Sequence, residues 1–517
     1  MSEQHSANVN ITNDTAGNAT IYLFHEITDE GMQGGHWQAT PGQTVGPLTV
    51  YYDTGVGSHT YDWWSVLVLV EDGPNPGFYV NSGGEYPPWY EYALDHKDND
   101  QTLTFAVSTS EFTIRLADGT TTNAMKKIAP RDRVTHVFVV MLENRSFDHM
   151  LGWLPRADGR QAGLSYVDAD GVAHPTYALA PDFQGCGHQD PDHSYDGGRV
   201  EYHDGACDGW LLANDTFSIG YYRRHDLDFL GRATPQWASF DRYFAGLLAP
   251  TFPNRITQHA GQTDRLENTI VISTLPTIWD RLAAAGLDGR YYFGDVPFLG
   301  LWGGKYTPIS HSLPEFFADC QAGTLPQVAF VDGPFLSELT GTGADDHPFN
   351  DIRSGEAFMH SIYAAVTRSP AWPATVFIIN FDEWGGFFDH VPPAIAPIPD
   401  SDRALGSDGR RGFRTPTLLV SPFARRAHTS HVLYDHTSVL RLIEWRWGLD
   451  PLTVRDATAN NLADELDFRN PSLKAPTYDV PPIVGAPCPV NPTSAALMRR
   501  APWRELREVA RANGWGV

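Results

Sequence analysis

Apolar positions between about Asn8 and Ala124 come in short alternating bursts, not at helical spacing. Val9-Asn10-Ile11, Thr20 to Phe24, Leu48 to Tyr52, Ser65 to Val70, Leu103 to Val107 and Phe112 to Leu116 each read as a strand. Asn-Asp, Pro-Gly, Gly-Gly and Asp-Gly pairs separate them, a pattern that predicts a small antiparallel β-sandwich. After Pro130 the pattern changes. Near-continuous apolar runs (Val134 to Leu142, Thr269 to Ser273, Gln327 to Val331, Ala374 to Phe381, Thr417 to Val420) alternate with helical stretches at Thr277 to Ala285, Gly355 to Thr367, Ser438 to Arg446 and Pro502 to Asn513. Strands apolar on both faces predict a parallel sheet sandwiched by helices, hence an α/β fold. In the last helix Trp503, Leu506, Val509 and Ala510 fall on one face. A chain of 517 residues exceeds what one core usually supports. The expected division is therefore an all-β domain over residues 1–127 and an α/β domain over 128–517.

Charge narrows the partners. Lys+Arg 37 against Asp+Glu 62 gives a net charge of −25, which repels polyphosphate backbones and argues against nucleic acid. No apolar run is long enough to span a bilayer. The polar N-terminus, Met1 to Asn10, lacks the basic-then-apolar pattern of a secretory signal, which leaves the compartment open, as the sequence leaves the oligomeric state. None of the four cysteines stands in a C-x-x-C pair, so a thiolate zinc site is not expected. Cys186 and Cys207 share one loop-rich stretch and predict either a disulfide or two free thiols.

Two strands end alike. Val137 to Leu142 runs into Glu143-Asn144, and Thr375 to Phe381 runs into Asp382-Glu383. Ligands of open α/β sheets bind at the carboxyl ends of strands. Four oxygen-bearing side chains there would cage one hard divalent cation, Mg²⁺, Mn²⁺ or Ca²⁺ in preference to zinc. The alternative is that each pair only caps the next helix. Ala249-Pro250-Thr251-Phe252-Pro253-Asn254-Arg255 places a hydroxyl where a helix N-cap is expected, and an anion at a helix N-terminus is stabilised by free N–H groups and the macrodipole. Of the histidines clustered in this half, His347, followed by proline in an Asp-rich loop, and His390, just beyond Asp382-Glu383, are candidates to protonate a leaving oxygen.

Glu143-Asn144-Arg145-Ser146-Phe147-Asp148-His149 resembles the E-N-R-S-F-D-H signature of the phosphoesterase family, which holds non-specific phospholipases C of bacteria and plants and a bacterial acid phosphatase. Thr251 to Arg255 is similar to its T-x-P-N-R segment, and Asp382 to Pro393 to its D-E-x-G-G-x-x-D-H-V-x-P-P segment. His347-Pro348 with Gly355-Glu356, Ser421-Pro422-Phe423, and Tyr434 to Ser438 match in the same order. The resemblance implies an alkaline-phosphatase-like core. It also implies one divalent ion on Glu143, Asn144, Asp382 and Glu383, and Thr251 as the nucleophile that becomes a phospho-threonine. Asn254 would bind a phosphoryl oxygen, His347 would stand near the leaving group, and His193, within Asp192-His193, would be a further active-site histidine.

The expected substrate is a phospholipid or a small phosphate ester, with phospholipase C favoured over acid phosphatase action on monoesters. A sulfatase is disfavoured, because Thr251 cannot become the formylglycine such enzymes need. A reading of another class starts from Trp63-Trp64 and Tyr86 to Tyr92: these aromatics would make the β domain a lipid- or glycan-targeting module in peripheral contact with a membrane, or else fill a core.

Overall fold

The computed structural model describes residues 3–27, 31–54, 62–83, 88–337, 340–488 and 502–517. The chain divides into two compact units, Met1–Thr135 and His136–Val517.

In the first unit the strands are β1 (Glu3–Asn13), β2 (Ala19–Ile27), β3 (Gly31–Ala39), β4 (Thr44–Thr54), β5 (Asp62–Val70), β6 (Gly77–Asn81), β7 (Tyr90–Glu91), β8 (Thr102–Val107), β9 (Glu111–Leu116) and β10 (Gly119–Ile128). They join along the path β3-β2-β5-β6-β10-β9-β8-β1-β4, with β7 on β5. The path folds over one core: Trp64 of β5 meets the edge of Phe105 of β8 at 4.8 Å between ring centres, with Val9, Ile21, Val50, Val66 and Ile114 around them. One pair departs from the antiparallel expectation. β1 and β8 run parallel, Asn8 level with Thr102; in-out alternation of side chains is the same whichever way a neighbouring strand runs, so the sequence pattern does not distinguish the two directions. Trp64 is a core residue, and Tyr90 and Tyr92 pack against the same core. Tyr86 and Pro87 lie outside the described residues.

The second unit is built on an eight-stranded sheet. Its strands are β11 (His136–Leu142), β12 (Ala238–Phe240), β13 (Gly289–Phe293), β14 (Ser310–Ser312), β15 (Val328–Asp332), β16 (Thr375–Phe381), β17 (Leu418–Val420) and β18 (His428–Ser430), in the order β14-β13-β15-β11-β16-β17-β12-β18. Only β17 opposes its neighbours; this three-residue strand lies between Pro416 and Pro422 and makes an otherwise parallel sheet mixed. Helices α1 (Phe147–Leu151), α2 (Thr251–Ala260), α3 (Ile278–Ala284), α4 (Leu313–Ala322), α5 (Ile352–Arg368), α6 (His436–Trp447) and α7 (Pro502–Ala512) surround it. Phe330 of β15, level with Val139 of β11, meets His259 of α2 and Trp279 of α3. Phe138, one residue along and so on the other face, meets Phe316 of α4. Helices therefore cover both faces, as the doubly apolar strands require. In α7, Trp503, Leu506 and Ala510 are buried and Val509 half-buried.

Two local expectations need correction. Thr269 to Ser273 is not a strand: Val271 and Ile272 are exposed, and Arg265 draws the carbonyls of Thr269 and Val271 to its guanidinium at 2.5 and 2.8 Å, out of reach of a ladder. The disulfide joins Cys186 to Cys488, 302 positions away, and not to Cys207. The Cys207 thiol is buried in an apolar cluster with Trp210 and Tyr166, whereas Cys488 is brought in by a chain segment tied to the Gln184 loop, its N–H on Thr340 O at 2.8 Å and Gln184 Nε2 on Ala486 O at 2.6 Å.

Candidate active site

The tips of β11 and β16 are laced together. Asp382 N–H donates to Leu142 O at 3.0 Å, Arg145 N–H to Glu383 O at 3.0 Å, and Asn144 N–H to Asp382 Oδ1 at 3.1 Å. To turn its side chain back over the sheet, Asn144 takes a left-handed backbone at φ +58°, which asparagine tolerates better than most residues. Gly385 makes room for it: at φ +65° a Cβ there would lie 2.1 Å from Asn144 O.

Asn144 Nδ2 donates to Glu383 Oε1 and faces Thr251 Oγ1 at 3.4 Å. Thr251 is thus at the strand tips, but as the first residue of α2 and not its cap; Pro250 holds that position, leaving the hydroxyl clear of helix capping. Asn254 lies beneath. Its Oδ1 accepts from Leu247 N–H at 2.8 Å, and its Nδ2 donates to Leu247 O, Ala249 O and Pro250 O at 3.2, 2.6 and 3.1 Å. With both ends of its amide engaged by the backbone, Asn254 in this structure shapes the loop before Thr251 and has no N–H left for a phosphoryl oxygen.

His193 and His347 approach from two other loops. His193 anchors Nδ1 on Pro191 O at 2.7 Å and turns Nε2 toward Glu383 Oε1 at 3.9 Å. His347 stands edge-on to it, ring centres 6.4 Å apart, with Nε2 at 3.6 Å from Asp190 Oδ2. Asp190, His193 and Pro250 line a cavity of about 330 Å³ shared with Asp192, Glu267 and Asn268. His390 belongs elsewhere. Its ring nitrogens bind Asp148 Oδ2 at 2.5 Å and Asp158 Oδ1 at 3.1 Å, within a buried network that Arg414 completes through Asp148 and Asp389.

Burial dominates the electrostatics. It raises the Asp382 carboxyl, and raises Glu383 to about 8 with help from Asp382, although His193 opposes it. Burial drops His347 to about 4; His193 is held up at about 9 because Glu383 and Asp190 outweigh its own burial. Such a cluster suits a cation. Asn144 Oδ1 is fully buried and has no hydrogen-bond partner among the described residues, and Glu143, Asp382 and Glu383 add only hard oxygen donors beside it. Two more groups have ligand types and spacing compatible with a metal, Asp190-His193-His347 and Asp148-Asp389-His390, each with ligand atoms within 4.8 Å of one another.

Four participants gave no role-bearing signal in the sequence. Asp190 sits on His347. Asp332 and Arg255 form an ion pair at 2.8 Å, and Arg255 also reaches Glu143 and Asp382. His436 Nε2 lies 2.6 Å from Asp382 O. Only Arg255 and His436 fall within motifs at all.

Known proteins are similar in sequence over the α/β unit. The Phosphoesterase family's profile matches residues 134–450. Phospholipase C B of Mycobacterium tuberculosis (strain CDC 1551 / Oshkosh) is 30% identical over 433 residues, 68% of this chain and 82% of that one. Non-specific phospholipase C1 of Arabidopsis thaliana is 27% identical over 403 residues, 69% and 75% of the two chains. Among solved structures, the phosphonate monoester hydrolase of Agrobacterium radiobacter aligns with 64% of this chain and 77% of its own at 11% identity and a TM-score of 0.31. The matched stretch contains both acidic strand tips, the threonine-headed helix and the His347 loop, and this chain belongs to the Phosphoesterase family.

Proposed function

We propose that this chain is a metal-dependent phosphoric-ester hydrolase of the phospholipase C type, acting through a phospho-threonine on Thr251. One observation carries the reading: a helix-heading hydroxyl faces the same amide, Asn144 Nδ2, that binds Glu383. Glu143, Asn144, Asp382 and Glu383 are the residues that would hold a divalent ion, which when bound would neutralise a phosphoryl oxygen and favour the threonine alkoxide. Thr251 Oγ1 gives up its proton and attacks phosphorus in line, the bond to the leaving alcohol breaks, and the leaving oxygen takes up one proton in exchange, so the alcohol departs neutral. Water then displaces Thr251 and releases the phosphorylated head group. His193 and His347, with Asp190 orienting the latter, are assigned to the phosphoryl and leaving oxygens. Asn254 acts through the loop it holds, and His390 through the Asp148 network. Catalysis is assigned to residues 128–517; for residues 1–127 the core position of Trp64 supports a structural role over lipid or glycan targeting.

A phosphomonoesterase is the second reading, favoured by the small polar cavity at His193. Hydrolysis of phosphatidylcholine and of a chromogenic phosphomonoester, by the wild type and by Thr251→Ala, decides between them. The proposal expects turnover of phosphatidylcholine that is lost in the alanine variant. Monoester turnover alone selects the second reading, and an alanine variant active on both esters removes Thr251 from the chemistry. Among the described residues no helix is long and apolar enough to cross a membrane.

A further inference from the structure

Glu143, Asp332 and Asp382 project from the ends of three adjacent strands, with Met141 level with Asp332 and Leu142 level with Phe381. One side chain is common to all three. Arg255, one helical turn beyond Thr251 on α2, donates Nε to Asp382 Oδ2 at 3.1 Å and one terminal nitrogen to Asp332 Oδ1 at 2.8 Å. The other terminal nitrogen stands 3.2 Å from Glu143 Oε1 and 3.4 Å from the carbonyls of Met141 and Leu142. The guanidinium is buried, and the Phe335 ring lies 4.7 Å from its carbon. Tyr291 holds the far oxygen of Asp332 at 2.5 Å and itself accepts from Phe298 N–H at 2.9 Å. Carboxylate oxygens from three strand tips therefore converge on one planar cation borne by the nucleophile's own helix.

We propose that Arg255 is a positioning residue that fills, as a fixed organic cation, the place a second divalent ion would take, so that the site binds one metal ion and keeps its ligands in register with Thr251. The inference rests on the one-ion reading given above. With the guanidinium removed, Glu143, Asp332 and Asp382 face one another around a space with no internal counter-charge, and a second hard cation is the natural occupant. A lysine supplies the charge but not the planar fork, so it excludes the second ion while positioning the carboxylates less well.

The test uses full-length wild type, Arg255→Lys and Arg255→Met, each stripped with chelator and equilibrated with Mn²⁺. Bound manganese per chain is measured by elemental analysis, and unfolding temperature is followed with and without the ion. One ion per chain is expected in the wild type and the lysine variant, and two in the methionine variant, with a larger Mn²⁺-induced rise in its unfolding temperature. kcat/KM is expected to fall about 100-fold in Arg255→Met and less in Arg255→Lys, the size of loss a small misplacement of reacting groups brings. A folded Arg255→Met protein that still holds one ion overturns the proposal, as does a second ion in the wild type or in Arg255→Lys. Should Arg255→Met fold only when Mn²⁺ is present, the proposal is supported; should it fold under neither condition, the manganese count of Arg255→Lys decides. A wild type that binds no manganese defeats the one-ion reading instead, a distinct outcome.

Discussion

Replacing Asn254 by alanine removes the four side-chain hydrogen bonds with which it ties down Leu247, Ala249 and Pro250 before Thr251. The lost bonds are one acceptor for Leu247 N–H and donors to three carbonyls, all in a buried setting. A buried polar group left without a partner costs roughly 1–3 kcal/mol. Because two amide protons serve the three carbonyls, a conservative total is about 3 kcal/mol. Spread over the unfolding entropy of a unit the size of His136–Val517, that loss lowers the unfolding temperature by about 4 °C. Thr251 heads the helix that this loop leads into, so kcat should fall by roughly 100-fold while KM changes little. Differential scanning calorimetry and steady-state kinetics on one preparation measure both. If Asn254 instead served the phosphoryl group alone, kcat/KM would drop with no change in unfolding temperature, and that result would refute the loop assignment.

Other outcomes follow from the same structure. Burial raises Glu356 to about 8, so it keeps its proton in the folded chain while the unfolded chain ionises near its ordinary value. Its contribution to stability is complete below about pH 4.5 and shrinks as pH rises toward 8, because the unfolded state then holds fewer protons. Glu356→Gln should flatten that decline in denaturant titrations across the window; an unchanged slope would remove Glu356 as its source. Cys488→Ser opens a link spanning 302 positions and should cost roughly 2–4 kcal/mol in denaturant melts, with reductant then having no further effect. Arg414→Met leaves Asp148 and Asp389 without their buried partner and should destabilise by roughly 3–5 kcal/mol; a loss under 1 kcal/mol, on the order of an exposed pair, would contradict the network described here. Dialysis against chelator should abolish turnover, and Mg²⁺, Mn²⁺ or Ca²⁺ should restore more of it than Zn²⁺; undiminished turnover without metal would exclude the divalent-ion reading.

The strand tips were readable in the sequence because burial on both faces forces continuous apolar runs, and the polar residues that end those runs stand out. That logic placed β11, β15, β16 and β17 within a residue or two. It misread Thr269 to Ser273, where an apolar-looking segment is held off the sheet by Arg265. It also passed over β13, whose Gly289-Arg290-Tyr291-Tyr292-Phe293 mixes a charge and a glycine into a strand near the sheet edge. Site residues divide in the same way. Those inside long motifs were legible, whereas Asp190 and Asp332 take their meaning from partners far along the chain, His347 and Arg255. Neighbourhood in sequence misled for His390: it follows the Asp382-Glu383 tip closely, yet its ring turns to Asp148 and Asp158. The parallel β1–β8 pair was hidden for a simpler reason, since alternation does not encode strand direction.

The central claim is that Thr251 carries the phosphoryl group between substrate and water. Rapid acid quenching during turnover, followed by peptide mass spectrometry, reads this directly. With phosphatidylcholine the peptide containing Thr251 is expected to gain the phosphorylated head group on the threonine in the pre-steady state, and with a monoester one phosphoryl group, and to lose it as substrate runs out. Phosphate found on another residue, or a Thr251→Ala protein that still turns over at the wild-type rate, would contradict it.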